Sequence, residues 1–233
     1  MEASSTTVVL LSGWKGSGKD TFADDLCKNH GFTKKAFADA LKEYTANKHD
    51  LPLHFFHDQK LKEIPFGALP VVAKDEFSLQ IQSRLIDHFR TLSGEKPESL
   101  CLVIRSEGGE LYYKGSKLYW TPRALAIAEG SLKRSIDPNY WVKEVYRNCK
   151  ARKVVISDWR YPNEYEAVKN YFGGKIIRVR LDVKKENHAK DESERSLDDY
   201  AEFDVRITNR MDGAGKFVII AYSLLKPHLD RFE

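Results

Sequence analysis

Along the chain, segments whose apolar residues have the pattern of a strand alternate with segments that have the spacing of a helix. Thr6–Ser12 is an apolar, β-branched run that ends at a glycine, which is typical of a buried strand. Lys19–His30 places its apolar residues on one helical face, and Gly31 follows as a helix-ending residue. Thr33–Ala38 predicts a short second strand, and residues 39–48 predict a second helix.

The last third of the chain repeats this alternation. Strands are predicted at Lys153–Ser157, Lys175–Asp182 and Phe203–Thr208, and helices at Asn163–Phe172, Lys185–Tyr200 and Lys216–Leu225. Strands that alternate with helices imply right-handed crossovers and a parallel sheet. With the two N-terminal strands, the pattern predicts a five-stranded parallel sheet.

The middle of the chain breaks the alternation. Residues 49–75 hold three prolines and predict an inserted loop, whereas Glu76–Leu92 has helical spacing. Residues 100–120 contain two good turns and predict a hairpin or small meander outside the main sheet. Helices are predicted at Pro122–Gly130 and Pro138–Lys150. We therefore expect one domain over residues 1–233, with an insertion at about 40–150 and a lid at about 184–200.

Composition narrows the classes of function. The chain has 233 residues, of which 42% are hydrophobic and 31% charged, as in a globular domain. A net charge of +4 is too small and dispersed to favour nucleic-acid binding. No apolar stretch approaches the roughly 20 residues of a membrane span. The scattered cysteines Cys27, Cys101 and Cys149 favour a reducing compartment, so we expect a cytoplasmic protein.

The strongest motif is a phosphate-binding loop between the first predicted strand and the first predicted helix. It reads Gly13-Trp14-Lys15-Gly16-Ser17-Gly18-Lys19-Asp20-Thr21 and matches G-x-x-x-x-G-K. Glycines permit a tight turn whose main-chain N–H groups converge on phosphate oxygens. Lys19 would reach the β- and γ-phosphates of ATP. The predicted nucleotide contacts are Gly13, Lys15, Gly16, Ser17, Gly18, Lys19, Asp20 and Thr21.

The residue after the lysine departs from the motif, which has serine or threonine there to hold Mg²⁺. This chain has Asp20, with Thr21 one place later. Asp20 can hold the metal through a water molecule, or Thr21 can reach it, and both stay candidates. ATP and Mg²⁺ are the predicted cofactors.

A second group of candidates follows the strand predicted at Lys153–Ser157. Asp158 stands at its carboxyl end, where parallel sheets place the ligand crevice. It is a candidate to hold Mg²⁺ through water, to position the acceptor, or simply to cap the next helix. Arg160 can clamp a phosphate with its planar guanidinium or pair with Glu164 or Glu166. The predicted catalytic residues are Lys19, Asp158 and Arg160.

Several further blocks follow the loop in a fixed order. They are Phe37–Lys42, Thr121–Arg123, Gly130–Arg134, Trp141–Val142, Ile156–Glu164, His188 with Ser193–Glu194, and Phe203–Val205 with Asn209. In this order they resemble the bacteriophage-type deoxynucleoside monophosphate kinases of the P-loop kinase superfamily. The resemblance implies a three-layer α/β fold, like that of nucleoside monophosphate kinases, with the phosphate strand central in the sheet. It also implies an acceptor-side insertion of helices and a β-hairpin, ATP with Mg²⁺, and a deoxynucleotide acceptor.

The same block that resembles the family's acceptor side also departs from it. Gly130-Ser131-Leu132 and Ala124 stand where the family has a Gly-Thr-Glu and a nearby glutamine, which leaves the accepted base open. The candidate acceptor-binding residues are Asp39, Lys42, Arg84, Trp120, Arg123, Arg134, Asp158, Trp159 and Arg160. The cations would bind the acceptor phosphate and the tryptophans would stack on its base. The alternatives are surface cations, a helix cap at Asp39, and core aromatic residues.

Two candidates for binding ATP lie near the C-terminus. Residues 184–200 are dense in charge of both signs, and they fit either a lid whose Lys190 or Arg195 closes over ATP or a solvated helix. Asn209 follows the last strand, and it would either line the adenine pocket or serve as a turn residue.

The predicted function is ATP-dependent phosphorylation of deoxynucleoside monophosphates to diphosphates, which supplies DNA precursors. An anionic acceptor oxygen needs no strong base, which suits a site rich in arginine. Two alternatives stay open: a kinase for another phosphorylated or hydroxyl acceptor, of the phosphomevalonate or dephospho-CoA type, and an ATPase switch. ATP and the monophosphate are the expected partners, in the host cytoplasm if the protein is viral. The oligomeric state stays open, with a homodimer among the options.

Overall fold

A computed structural model describes residues 6–64, 72–73, 100–105, 108–113, 116–117, 121–183 and 195–230. The chain divides into two compact units. One comprises Met1–Ala40 with Asn139–Glu233, and the other comprises Leu41–Pro138. Within the part of the chain described, no helix is both long and apolar enough for a transmembrane span.

The elements follow one another in this order. The strands are β1 (Thr7–Gly13), β2 (Thr33–Lys35), β3 (Val72–Ala73), β4 (Leu100–Arg105), β5 (Gly108–Tyr113), β6 (Ser116–Lys117), β7 (Lys153–Ile156), β8 (Lys175–Val183) and β9 (Val205–Asn209). The helices are α1 (Lys19–His30), α2 (Phe37–Lys48), α3 (His54–His57), α4 (Pro122–Ile136), α5 (Tyr140–Arg147), α6 (Pro162–Phe172) and α7 (Ala214–Asp230), with a 3-10 turn at Leu61–Glu63.

The first unit is built on a five-stranded parallel sheet of order β2-β7-β1-β8-β9. Strand β1 is central and pairs with β7 on one side and β8 on the other, so that Val8 lies opposite Val154 and Ile176. All four neighbouring pairs in this sheet are parallel. The predicted five-stranded parallel sheet is confirmed.

Helices cover both faces of this sheet. Helix α1 leads from β1 toward the β2 edge, and α6 leads from β7 back toward β8. Right-handed crossovers in opposite directions place their helices on opposite faces, which gives three layers. One face joins strand residues to α1 and α7 in a buried cluster that includes Val9, Leu11, Phe22, Leu26, Val179, Leu181, Phe217, Ala221 and Leu225.

The second unit contains an antiparallel sheet and short helices. Strands β4 and β5 form a hairpin with Leu100 opposite Tyr113 and Arg105 opposite Gly108, and β5 also pairs with β3 and β6. The meander predicted at residues 100–120 is confirmed. The region predicted as a loop at 49–75 contains α3, the 3-10 turn at Leu61–Glu63 and β3.

Several predicted helix ends differ from the structure for reasons of packing. Helix α2 begins at Phe37, two residues before the predicted start, because its first amides bond a side chain distant in sequence. Helix α4 continues past Gly130, where a β-carbon would lie 2.9 Å from Leu41 Cδ2. The glycine there permits a close helix approach and does not end α4. Helix α7 likewise extends beyond its predicted Leu225 end to Asp230.

Two predicted helices are not fully described. The one at Glu76–Leu92 lies outside the described residues, as does most of the one at Lys185–Tyr200. The described end of the latter, residues 196–199, forms a turn. That stretch is therefore not a helix continuing to Tyr200.

We expect Gly174→Ala to destabilise the protein by about 3 kcal/mol, since Gly174 has a left-handed φ of 67°. An added β-carbon would also lie 2.3 Å from the carbonyl oxygen of Thr6. Gly31→Ala is the matched control, because Gly31 has a φ of 72° but nothing within 4 Å of the added carbon. Gly31→Ala should lower the free energy of unfolding by only about 1 kcal/mol. Urea unfolding of both variants measures the two changes. Equal midpoints would show that the contact with Thr6 is not tight.

Candidate functional site

The loop between β1 and α1 folds tightly against neighbouring strands. Gly13 has a φ of 148°, and a β-carbon there would lie 2.3 Å from the carbonyl oxygen of Leu181 on β8. Gly18 has a φ of 97°, and its β-carbon would lie 2.8 Å from both Asn209 Nδ2 and Phe217 Cε1. Only glycine fits these two positions, so the glycine pattern of the motif is explained by close packing as well as by turn geometry.

Lys19, the first residue of α1, folds back over the loop. Its Nζ donates hydrogen bonds to the carbonyl oxygens of Gly13 at 2.6 Å and Trp14 at 2.8 Å. The main-chain N–H of Ser17 donates to the same Trp14 carbonyl at 3.0 Å. The ammonium group therefore lies directly beside the turn of the loop, where phosphate oxygens would bind.

Ser17 gives an independent test of whether the loop fits a phosphate group. Its hydroxyl is fully buried and has no hydrogen-bond partner among the described residues. A buried hydroxyl without a partner is costly unless a ligand satisfies it. Together with the Lys19 ammonium and the N-terminus of α1, it fits a bound phosphate tail.

A cavity opens next to the loop at the carboxyl ends of β1 and β7. It is lined by Ser12, Gly13 and Lys19 from the β1–α1 region, by Asp158, Trp159 and Arg160 after β7, and by Leu197. The three predicted catalytic residues thus line one cavity. Adjacent parallel strands explain this, because both carboxyl ends lie at the same edge of the sheet.

Asp158 holds the start of α2. Its Oδ1 accepts from the main-chain N–H of Phe37 and its Oδ2 from that of Ala38, each at 2.8 Å. Burial raises the pKa of the Asp158 carboxyl above its ordinary value, and the two N–H donors and the charge of Arg160 oppose that rise. The cap alternative is thus realised, but on α2 and not on the helix that follows Asp158. Both carboxylate oxygens already accept a hydrogen bond. A role of Asp158 in holding Mg²⁺ or positioning the acceptor must therefore use the same two oxygens.

The main chain around Arg160 is fixed by two other side chains. Buried Glu164 accepts through Oε2 from the N–H of Arg160 at 2.9 Å and of Tyr161 at 3.0 Å. The hydroxyl of Ser196 donates to the carbonyl oxygen of Arg160. These bonds fix the main chain of a residue that lines the cavity.

The candidate metal ligands lie apart. The Asp20 side chain is 79% exposed, and its Oδ1 lies 2.9 Å from Lys34 Nζ, which also pairs with Asp24 at 3.0 Å. Burial lowers the pKa of Lys34, but the bonds to these two aspartates outweigh it and the pKa is raised. Thr21 is exposed as well. Across the described ranges no three His, Cys, Asp or Glu residues form a metal cluster. Metal binding at Asp20, Thr21 or Asp158 therefore stays a prediction.

Two candidates, Trp159 and Asn209, have packing roles in the structure. The indole of Trp159 is 1% exposed, donates to the Tyr161 carbonyl at 2.8 Å, and packs edge-on against Tyr200 and Phe203. It is a core residue in this structure, which was the alternative to base stacking, and stacking on a base stays a prediction. Asn209 donates through Nδ2 to the Ser17 carbonyl at 3.2 Å and accepts from the N–H of Met211 at 2.9 Å. It braces the phosphate loop and bonds locally as a turn residue, which was one of its two predicted roles, and a contact with adenine stays a prediction.

The remaining candidates are distributed over both units. Asp39 lies inside the first turn of α2, so it is not the helix cap that was considered for it. Arg123 pairs with Glu63 at 2.5 Å within the second unit, which also contains Lys42 and Arg134. Lys15 is exposed in the loop, and the carbonyl of Arg195 accepts from the N–H of Asp198. Arg84, Trp120 and Lys190 lie outside the described residues.

Sequence reasoning missed two charged residues behind the loop. Arg180 on β8 is 4% exposed and donates to Ser12 Oγ at 3.2 Å and to Asp198 Oδ1 at 2.6 Å. Asp198 Oδ1 also accepts from the indole N–H of Trp14 at 2.9 Å. The signal in the sequence was an arginine between two apolar residues of a predicted strand, which must be paired when it is buried.

The sheet and its flanking helices define a three-layer α/β fold, with a glycine-rich loop between β1 and α1. The chain matches no family model and no curated protein. Among solved structures, an unliganded sugar kinase from Janibacter sp. HTCC2649 is similar at 14% identity over 95% of each chain, with a TM-score of 0.36. Similarity of this degree is too low to support a shared function.

We expect Asp158→Asn to destabilise the protein by about 2 kcal/mol, because the amide group would face the Ala38 N–H with a donor in place of an acceptor. Urea unfolding measures the change. Asp24→Asn, which removes a 68% exposed partner of Lys34, is the control and should change stability by less than about 1 kcal/mol. An unchanged midpoint in Asp158→Asn would mean that the bonds to α2 contribute little.

Proposed function

We propose that this protein transfers the γ-phosphate of ATP to a deoxynucleoside monophosphate. The observation that carries the proposal is the loop at Gly13–Lys19, in which two tightly packed glycines, a buried unpartnered hydroxyl and a lysine ammonium meet at the start of a helix. Those groups fit a polyphosphate and its developing charge. The resemblance to bacteriophage-type kinases supports the choice of acceptor.

In this reaction the protein would mainly position the two substrates and neutralise the charge of their phosphate groups. From its place beside the carbonyls of Gly13 and Trp14, the Lys19 ammonium would contact the β- and γ-phosphates. Mg²⁺ bound with ATP would neutralise phosphate charge, and Asp20, Thr21 and Asp158 are the candidates to hold it. Arg160 lines the same cavity and would bind the phosphate of the acceptor, next to the group being transferred.

The state of Asp158 favours a phosphate acceptor over a hydroxyl acceptor. A hydroxyl must lose a proton to a nearby base, whereas a monophosphate attacks with an oxygen that is already anionic. Each oxygen of Asp158 already accepts from an amide, of Phe37 or of Ala38, so taking a proton from a hydroxyl would disturb a bond that holds α2, although burial raises the pKa of the carboxyl. Asp39, a candidate acceptor-binding residue, is a second carboxylate for that role, so a kinase acting on a hydroxyl is the alternative that the acceptor panel below tests.

We expect Lys19→Ala to lower phosphate transfer at least about 1000-fold while leaving the fold intact, because no other group replaces the ammonium at the loop. A coupled assay of ADP release with a panel of deoxy- and ribonucleoside monophosphates measures the rate, and unfolding curves check the fold. Lys28→Ala, an exposed lysine on the same helix, is the control and should keep full activity. Transfer that survives in Lys19→Ala would contradict the proposal.

We expect Arg160→Ala to raise KM for the monophosphate roughly 10- to 100-fold and to change KM for ATP much less, because the lost charged hydrogen bonds would serve the acceptor. Arg123→Ala should act in the same direction. Arg147→Ala is the control, since Arg147 is 65% exposed and pairs only locally with Glu144. If ATP is hydrolysed at the same rate without any acceptor, the protein is an ATPase switch and the kinase proposal fails.

A further inference from the structure

Trp14 connects the phosphate loop to the rest of the first unit, because its main-chain carbonyl and its indole side chain bond different partners. Its carbonyl accepts from Lys19 Nζ at 2.8 Å and from the Ser17 N–H at 3.0 Å. Its indole N–H donates to Asp198 Oδ1 at 2.9 Å. Any rotation of Trp14 therefore changes where the lysine and the loop amide are held.

The carboxylate that accepts from Trp14 is itself firmly placed. Asp198 Oδ1 accepts from Arg180 Nη2 at 2.6 Å, and the Arg180 side chain is 5% exposed. Arg180 lies on β8 directly opposite Ser12 of β1 and also bonds the Ser12 hydroxyl. Because a buried guanidinium is costly unless it is paired, this arrangement fixes the position of Asp198 strongly.

The turn that carries Asp198 also reaches the other side of the cavity. Ser196 donates to the carbonyl oxygen of Arg160, and Leu197, which is 1% exposed, lines the cavity. Three consecutive residues thus contact the strand-end segment, the cavity and the phosphate loop in that order.

We propose that Asp198 is a positioning residue for the phosphate loop, acting through the indole of Trp14. The inference rests on one part of the proposed function, namely that a polyphosphate binds in the loop. With the indole held by Asp198, the Trp14 carbonyl keeps the Lys19 ammonium and the Ser17 amide in one arrangement beside the cavity. Loss of the contact frees the loop to adopt other arrangements, and a polyphosphate then binds to a smaller fraction of the molecules.

A double-mutant cycle separates this role from simple loss of a contact. Trp14→Phe removes the donor and keeps an aromatic ring, and Asp198→Ala removes the acceptor. We expect each variant to bind ATP and inorganic tripolyphosphate about tenfold more weakly by calorimetry, and the double variant to be about tenfold weaker too, not about 100-fold. The indole N–H resonance of Trp14, assigned by its loss in Trp14→Phe, should shift in Asp198→Ala.

Asp182→Asn is the matched control. Asp182 is the other carboxylate that accepts from Arg180, at 3.2 Å, but it does not bond Trp14. It should leave polyphosphate affinity within about twofold of wild type. If Asp182→Asn weakens binding as much as Asp198→Ala does, the effect comes from Arg180 pairing in general and the inference is overturned.

The outcomes distinguish this inference from the proposed function. A wild-type protein that binds neither ATP nor tripolyphosphate overturns the proposed function and the inference with it. A wild-type protein that binds both, with single variants of equal affinity or with additive losses, overturns the inference alone. If Asp198→Ala does not fold, Asp198→Asn keeps an acceptor oxygen and should lose only about threefold in affinity. A folded Asp198→Asn with a tenfold or larger loss would also overturn the inference.

Discussion

The close approach of the β1–α1 loop to strand β8 constrains everything else in the site. Gly13 has no space for a β-carbon beside the carbonyl of Leu181, and Gly18 has none beside Asn209 and Phe217. The loop is therefore pressed against β8, β9 and α7 at once. That contact fixes where the N-terminus of α1 points, and hence where its amides and the Lys19 ammonium can meet an anion.

Parallel strands explain why distant segments supply the other groups. The carboxyl ends of β1 and β7 lie side by side, so residues 12–19 and 158–160 share one cavity. Asp158 then bonds the first amides of α2 and joins the start of that helix to the same edge of the sheet. A carboxylate at this place contributes to the order of the site even before any ligand contact is considered.

Periodicity alone was enough to predict the five strands of the parallel sheet, its crossovers and α1, because these elements bury apolar residues in the core of the first unit. It failed where a tertiary contact decides a boundary: α2 starts early because Asp158 caps it, and α4 passes Gly130 because Leu41 packs there. The phosphate-binding motif and the strand-end motif together predicted that Lys19, Asp158 and Arg160 would lie near one another. These motifs could not show that Trp159 would be buried or that Asn209 would bond Ser17, because both depend on neighbours far away in the chain.

Arg180 shows why a buried charge near such a site carries information. A guanidinium on an interior strand is tolerated only when its donors are satisfied, and here Ser12, Asp182 and Asp198 accept from it. Hydrophobic residues would fill the same space at no electrostatic cost, so stability alone does not account for the arginine. The arginine holds the Asp198 carboxylate in a fixed position, and that carboxylate accepts from Trp14, a loop residue whose carbonyl bonds Lys19. The pairing of β1 with β8 is thus connected to the Lys19 ammonium group by four polar contacts. They run from Ser12 to Arg180, from Arg180 to Asp198, from Asp198 to Trp14 and from Trp14 to Lys19.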